Sequence, residues 1–379
     1  MIQLLCAKFK IKFRGERMMK RKVYFALLIC LLFVIATGCS SEAGNSSEEG
    51  SKKDGEKTLV LAAYGGSYEQ KMKEVLIPAF EKEHGVKVKY ITGSSVDTLS
   101  KIQAQKDNPQ IDVAFLDDGP QAQAKTFGLL APLDESIVTN LENVYDIAKD
   151  KDNIGIGFGI ISTGLAYNKE TFEQNGWDPL TSWNDLADPK FKGKLVLPSI
   201  ANTYGVHMLL MAAIANGGSV EDIEPGFEKM KEIAQNAVTF DKTADVSNFF
   251  LQGQTVASAW GSSRVFTLQD TGFPIEYVIP EEGAPALMAT VSVIKDAPNA
   301  ELAQEFVNFI LGEEAQNLFA NALFDGPVNK NVKLEGDILD KIAYGEEEIS
   351  KLVKVDWELV NEKRAEWTER ANKEIEVAH

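Results

Sequence analysis

Thr58-Leu59-Val60-Leu61-Ala62-Ala63-Tyr64-Gly65-Gly66-Ser67-Tyr68 is the stretch whose reading decides the fold. Its first six residues read as a buried strand. Ser67 and Gln70 then stand at the spacing of a capping box, which predicts a helix start. Met72, Val75, Leu76, Ala79 and Phe80 follow at helical spacing, and Pro78 is expected to kink or split that helix. Val86, Val88 and Tyr90 alternate as a half-buried strand. Val96, Leu99 and Ile102 mark another helix, and Ile111 to Leu116 another strand. A β-α-β-α-β series of this kind predicts an α/β protein with helices packed on a mostly parallel sheet.

Outward from this block, a second series begins near Leu165-Ala166-Tyr167. It continues through strands at Leu195 to Leu197, Val238 to Phe240 and Val256 to Trp260, with helices around 204–216 and 220–236. A third strand, Ala289 to Ile294, precedes helices over 299–322, and Trp357 to Ile375 reads as a terminal helix. Ile154 to Gly164 carries four glycines, and Pro280-Glu281-Glu282-Gly283-Ala284-Pro285 breaks the chain again. Two such crossings fit a protein that bends at a few residues to close around something. Two ordinary loops within one large domain are the plainer alternative.

The N-terminus carries its own signal. Lys20-Arg21-Lys22, the apolar run Val23 to Ala36 and the small residues before Cys39 are the three parts of a secretory signal. That run is about 14 residues, short of the ~20 needed to span hydrocarbon. Ala36-Thr37-Gly38-Cys39 resembles a bacterial lipobox, so residues 1–38 are expected to be removed and Cys39 lipidated. Met18 or Met19 heads the well-formed signal and is the expected translation start. Ser40 to Lys57 is too polar to offset its ordering entropy and is expected to be a tether, residues 39–57 with the cysteine. Everything after Cys39 is then extracytoplasmic, on the outer face of the cell membrane or the periplasmic side where an outer membrane exists.

Composition narrows the function. The formal charge is −17, and residues 1–38 hold eight Lys/Arg against one Asp/Glu, which puts the mature chain near −24. Such acidity argues against nucleic acid, whose phosphates need clustered Lys and Arg. Cys6 and Cys30 precede the cut, so disulfides and thiolate metal sites are excluded from the mature chain. Roughly 320 folded residues are enough for a sizeable core and two domains. The histidines are His84, His207 and His379, and the sequence contains no P-loop, HExxH or GxSxG pattern. Catalysis, a cofactor and a metal are not expected.

Gly164 to Pro198 includes GLAYNKETF, TSWNDLADPKFKGKLVLP, and with AAYGGSYEQKMKEVLIPAFEKEHGVKV, DVAFLDDGPQAQAKTFGLLAPLD and VDWELVNEKRAEWTERANKEI it resembles one family. These blocks look like the extracellular solute-binding proteins of ABC importers, in the spermidine/putrescine-binding-protein-like group, over nearly all of residues 58–379. The resemblance implies a two-lobed periplasmic-binding-protein-like fold of type II with the ligand cleft between the lobes. By analogy lobe one is 58–160 plus 286–325, and lobe two is 161–285 with 326–379 packing back across it. It also implies a monomer that hands a small molecule to a permease and its ATPase.

Candidate ligand-binding residues follow from strand ends and from that resemblance. Tyr64, Gly65, Gly66, Ser67 and Tyr68 follow the first strand, where ligands meet backbone N–H groups. Asp117 and Asp118 hold the analogous place after Leu116, one expected to meet a ligand ammonium and the other to serve the helix start. Trp260 matches a family position where an aromatic ring lines the cleft, with a core tryptophan as the alternative. Arg264 would grip a carboxylate or phosphonate with its planar fork. Ser162, Thr163, Asn202, Thr203, Tyr204 and Thr290 fall where the family places polar contacts. Polyamine binders of this group carry acidic residues where this chain has Ser199 to Thr203 and Leu287 to Thr290, so the expected solute is an amine, a zwitterion or a small organic acid. A ferric-iron or other metal receptor and a surface lipoprotein without a transport role are the alternatives.

Overall fold

The computed structural model describes residues 57–376. The signal, the Cys39 lipobox and the tether up to residue 56 lie outside the described residues. Strand β1 (Thr58–Ala63) is buried from Leu59 onward except for Val60. It passes through Gly65 and Gly66 into α1 (Ser67–Lys71), a π turn at Met72–Leu76, and α2 (Ile77–His84). Pro78 cannot donate to the Glu74 carbonyl, and the widened turn sits where that bond is missing. The expected capping box is absent. Gly66 holds the N-cap position at φ 70° and ψ −144°, with no side-chain cap, and Ser67 is already helical.

The remaining elements follow in order. They are β2 (Lys87–Thr92), α3 (Ser95–Ala104), β3 (Val113–Asp117), α4 (Asp118–Thr126), β4 (Ile156–Asn168) and α5 (Lys169–Asn175). Then come β5 (Leu195–Pro198), α6 (Thr203–Ala215), α7 (Glu224–Ala234), β6 (Ala237–Asp241), α8 (Ser247–Leu251), β7 (Ala257–Gly261), α9 (Ser262–Asp270) and β8 (Ile275–Val278). The chain ends with β9 (Ala286–Val293), α10 (Ala300–Leu311), α11 (Glu313–Leu323), β10 (Gly326–Pro327), α12 (Gly345–Ser350) and α13 (Trp357–Ala371).

Strand order is β2-β1-β3-β9-β4-β7-β5-β6, with β8 and β10 also paired to β4. The β1 pairs with β2 and β3 are parallel, as are the β5 pairs with β6 and β7. The two parallel groups meet through β4. Its first half, Ile156 to Ser162, pairs antiparallel with β9, and Thr163 to Asn168 pairs with β7 and β8. The glycine-rich crossing is therefore a 13-residue strand rather than a loop. Its glycines answer close approach. A Cβ on Gly157 would lie 2.5 Å from Met288 Sδ, beside a register shift, and one on Gly164 would lie 2.4 Å from the Val278 carbonyl.

Each lobe has its own core. In lobe one Phe80, Phe115, Phe158, Phe306 and Phe319 are fully buried around β1, β3, β4 and β9. In lobe two Trp183, Phe191 and Phe227 surround α6, which is apolar on nearly every face and correspondingly buried. After residue 325 the chain stays first with lobe one: Gly326 and Pro327 pair with Ile160 and Gly159, and Val328 and Ile349 join its core. From Val353 onward the chain packs on lobe two, with Trp357, Val360, Trp367 and Ile375 in its core. Among the described residues no helix is long and apolar enough to cross a membrane.

Candidate functional site

The carboxyl ends of β1, β2 and β3 face those of β6 and β7 across a cavity of about 390 Å³. Seven residues named from the sequence line it: Tyr64, Gly65, Gly66, Tyr68, Asp117, Tyr204 and Arg264. Each comes from a strand end or the first turn of the following helix, where the α/β architecture leaves backbone and side chains unpaired.

Arg264 stands at the centre. It is buried, donates from Nη1 to the Gly65 carbonyl at 2.8 Å, and lies 3.6 Å from Asp245 Oδ2. Its guanidinium also sits 5.6 Å from the Tyr68 ring centre, within cation–π range. Burial works to lower its pKa, but Asp245, then Tyr204 and Tyr68, carry it above the ordinary arginine value. Behind it, Asp325 is buried and accepts from the Tyr68 hydroxyl at 3.4 Å. Burial pushes the Asp325 carboxyl up to about 7, against the pull of Ser263, Arg264 and Tyr68.

The aromatic wall is Tyr64, Tyr68 and Tyr204. Tyr64 meets Tyr68 edge-on with centroids 5.1 Å apart. The Tyr64 hydroxyl is buried without a well-formed hydrogen bond, and burial followed by the Asp117 charge holds its pKa well above the usual phenol. Burial does the same for Tyr204. Neutral phenols in an acidic cavity present ring faces and hydroxyls, not charge.

Close contacts join the lobes around the cavity. Thr203 Oγ1 donates to Asp117 Oδ2 at 2.5 Å, and Arg264 reaches Gly65. Gly66 lies so close to Asp245 that a Cβ added there would sit 1.8 Å from Oδ2. These contacts hold the two lobes against one another beside the cavity.

Eight residues named from the sequence do not line the cavity. Ser67 opens α1 beside it. Asp118 turns inward: it accepts from the Gly119 N–H at 3.1 Å and the Met288 N–H at 3.4 Å, and burial raises its pKa to about 7. Ser162 bonds the Tyr277 hydroxyl at 2.8 Å, and Thr163 bonds His207 Nδ1 at 2.8 Å. Asn202 caps α6 through Gly205 N–H and donates to the Asp241 carbonyl, so it aims Thr203 and Tyr204 at the cleft. Thr203 serves the inter-lobe bond. Thr290 donates to the Leu116 carbonyl at 2.8 Å. Trp260, expected on the wall, is 1% exposed and packs near Phe250 with its N–H towards the Ala244 carbonyl. Strand β7 is buried throughout, a Cβ on Gly261 would meet the Tyr204 ring, and Trp260 belongs to the core with Val246, Phe250 and Leu268.

Sequence reasoning missed Asp245 and Asp325. Asp117 ends β3 and Asp245 lies in the loop four residues after β6, so its place beyond a strand end was a usable signal. Asp325 has no local signal. It reaches the cavity because Phe324 turns the chain at φ 57° and β10 then pairs with β4. Asp97 also lines the cavity but is committed to capping α3 with Ser94. His207 is fully buried, and burial followed by Arg364 lowers its pKa to about 3, so it is neutral and unsuited to take up a proton near neutral pH. Among the described residues no three His, Cys, Asp or Glu side chains come together as a metal site.

Comparison with known proteins fits this geometry. The family described as bacterial extracellular solute-binding protein matches residues 76–345. The spermidine/putrescine-binding periplasmic protein of Salmonella typhimurium is 26% identical over 246 residues, 62% of this chain and 68% of that protein. Iron uptake protein A1 of Synechocystis is 26% identical over 286 residues, 69% of this chain and 74% of that protein. The crystal structure of an ABC transporter protein from Clostridium perfringens aligns at TM-score 0.64 and 28% identity, covering 84% of this chain and 99% of that one. The relatives are named for different solutes, so the likeness carries the transport role and not the cargo. The chain belongs to the bacterial extracellular solute-binding proteins and is the solute-binding component of an ABC transporter.

Proposed function

We propose that the cleft captures a small solute bearing an ammonium group, an amine or a zwitterion, and that the chain delivers it to the permease as a monomer tethered by lipid on Cys39. One observation carries the choice of solute. Asp117, Asp245 and Asp325 converge on a cavity whose only Lys or Arg among the described residues is Arg264. That guanidinium is already engaged by Gly65 and Asp245. An ammonium can pair with the surplus carboxylates while its carbon chain lies on the faces of Tyr64, Tyr68 and Tyr204. A carboxylate at the other end of a zwitterion would compete for the Arg264 fork. The acidic groups that the sequence lacks at Ser199 to Thr203 and Leu287 to Thr290 are supplied here from other elements. Closure of the two lobes would both trap the solute and present the two surfaces that a permease reads.

Titration calorimetry with putrescine, 4-aminobutyrate and succinate tests the reading, since these are a dication, a zwitterion and a dianion of matched length. Binding of putrescine or 4-aminobutyrate with no heat from succinate is the expected result. Succinate binding more tightly than both would sink the ammonium assignment.

A further inference from the structure

The acidic wall of the cleft has a rear side, and the last helix forms it. Trp357, Asn361 and Arg364 lie four and three residues apart, so they share one stripe of α13. Asn361 donates to the Gly119 carbonyl at 3.0 Å and accepts from Gln123 at 3.0 Å. The Trp357 ring fills the space a Cβ on Gly119 would take, 2.5 Å away. Arg364 Nη2 donates to the Ala201 carbonyl at 3.1 Å. One helix therefore grips α4 in lobe one and the loop before α6 in lobe two.

Polar atoms along this seam are left over. Arg364 Nη1 and His207 Nε2 are buried without partners, the Trp357 indole N–H is directed at the Asp118 carboxyl without a well-formed hydrogen bond, and all three residues are more than nine-tenths buried. The His207 and Trp357 rings are 5.5 Å apart. The charged and titratable groups that Arg364 faces are Asp117 and Asp118 at the start of α4 and His207 on α6. His207 is neutral. Arg364 holds the Ala201 carbonyl two residues before Thr203, whose hydroxyl bonds Asp117 Oδ2, so the guanidinium is placed near Asp117 although it does not line the cavity.

We propose that Arg364 is a positioning residue for solute recognition, acting through Asp117: it offsets the charge of the Asp117–Asp118 pair from behind and so limits the preference of the cavity for a dication over a zwitterion. The proposal rests on the reading of this cleft as the solute site. Two adjacent carboxylates without this counter-charge repel one another, and the pair then holds a proton to higher pH.

The test compares the full chain with Arg364→Gln and Arg364→Lys. The first readout needs no solute: the change in Tm between pH 5.5 and 8.5. Arg364→Gln is expected to steepen the fall in Tm with rising pH, because the native pair keeps a proton that the unfolded chain has already released. Arg364→Lys, which keeps the charge, is expected to restore the wild-type slope. The second readout is the affinity ratio of putrescine to 4-aminobutyrate at pH 5.5, where the pair holds one proton in both forms and only the Arg364 charge differs, expected to rise at least fivefold in Arg364→Gln and to return in Arg364→Lys. Equal pH slopes in wild type and Arg364→Gln overturn the proposal whatever binds. A steeper slope with neither probe bound supports the electrostatic role and counts against the ammonium reading of the cleft. Should Arg364→Gln not fold, Arg364→Met, which keeps the apolar stem, takes its place.

Discussion

Arg264, carried by α9 of lobe two, donates from Nη1 to the carbonyl of Gly65 in lobe one at 2.8 Å. The same guanidinium lies against Tyr68 and 3.6 Å from Asp245, so one side chain both joins the lobes and occupies the cavity. Recognition and closure are therefore not separable at this position. A solute that draws on the Arg264 fork also changes the bond that holds the lobes together.

Replacing Arg264 is predicted to weaken binding and closure together. A buried hydrogen bond from a charged donor is worth about 1.5–3 kcal/mol, and a tenfold change in affinity needs about 1.4 kcal/mol. Arg264→Ala should therefore weaken whichever of putrescine and 4-aminobutyrate binds by at least tenfold. Arg264→Lys should fall nearly as far, because a point charge cannot serve Gly65 and a solute in one plane. Calorimetry measures the affinity, and small-angle scattering measures the spread of the lobes. Wild-type affinity in both variants would remove Arg264 from the site.

Gly66 combines backbone strain with a lobe contact. It has φ 70°, and a Cβ there would lie 1.8 Å from Asp245 Oδ2 across the cleft. Gly85 has φ 65°, and nothing lies within 4 Å of its Cβ position. Gly85→Ala incurs the left-handed penalty of about 1–2 kcal/mol, whereas Gly66, at ψ −144°, lies in a region open essentially to glycine, so Gly66→Ala adds more backbone strain to the contact. Only Gly66→Ala should also block closure, with binding reduced well beyond tenfold while Gly85→Ala binds as wild type. Equal binding by the two variants would show that Asp245 moves aside freely.

The sequence carried most of the fold because period and punctuation agree along it. The strand at Thr58 to Ala63, the helix of α6 and the terminal helix from Trp357 all stand within a residue or two of where spacing puts them. The crossing at Ile154 to Gly164 was harder. Four glycines fit a hinge crossing or, more plainly, a loop, yet each glycine inside β4 makes room for a neighbour that only the tertiary fold brings near. The site divides in the same way. Tyr64, Asp117 and Arg264 belong to strand ends and could be named from local order, whereas Asp325 reaches the cavity through a two-residue strand paired with residues more than 160 positions earlier. The resemblance puts Trp260 on the wall, with the core as the alternative, and its ring packs in the core.

The acid–base behaviour of Asp325 links solute capture to pH. Burial holds its carboxyl near about 7, whereas an unfolded aspartate titrates near about 3.9. Between those values the native chain holds a proton that the unfolded chain has lost. The corresponding stability is complete below about pH 4 and declines as pH rises towards 7, on the order of a few kcal/mol in all. Asp118, also near about 7, adds a decline in the same direction. Asp325→Asn should therefore reduce the fall in Tm between pH 5 and pH 8, measured by thermal unfolding at a series of pH values. Binding should respond in the opposite sense. An ammonium beside Asp325 favours the carboxylate, so capture releases a proton and putrescine should bind more tightly at pH 8 than at pH 6. In Asp325→Asn that gain should shrink by at least half, with the heat of proton release in buffers of different ionisation enthalpy shrinking alongside it. Full pH dependence of both stability and affinity in the variant would mean that the proton sits on another group.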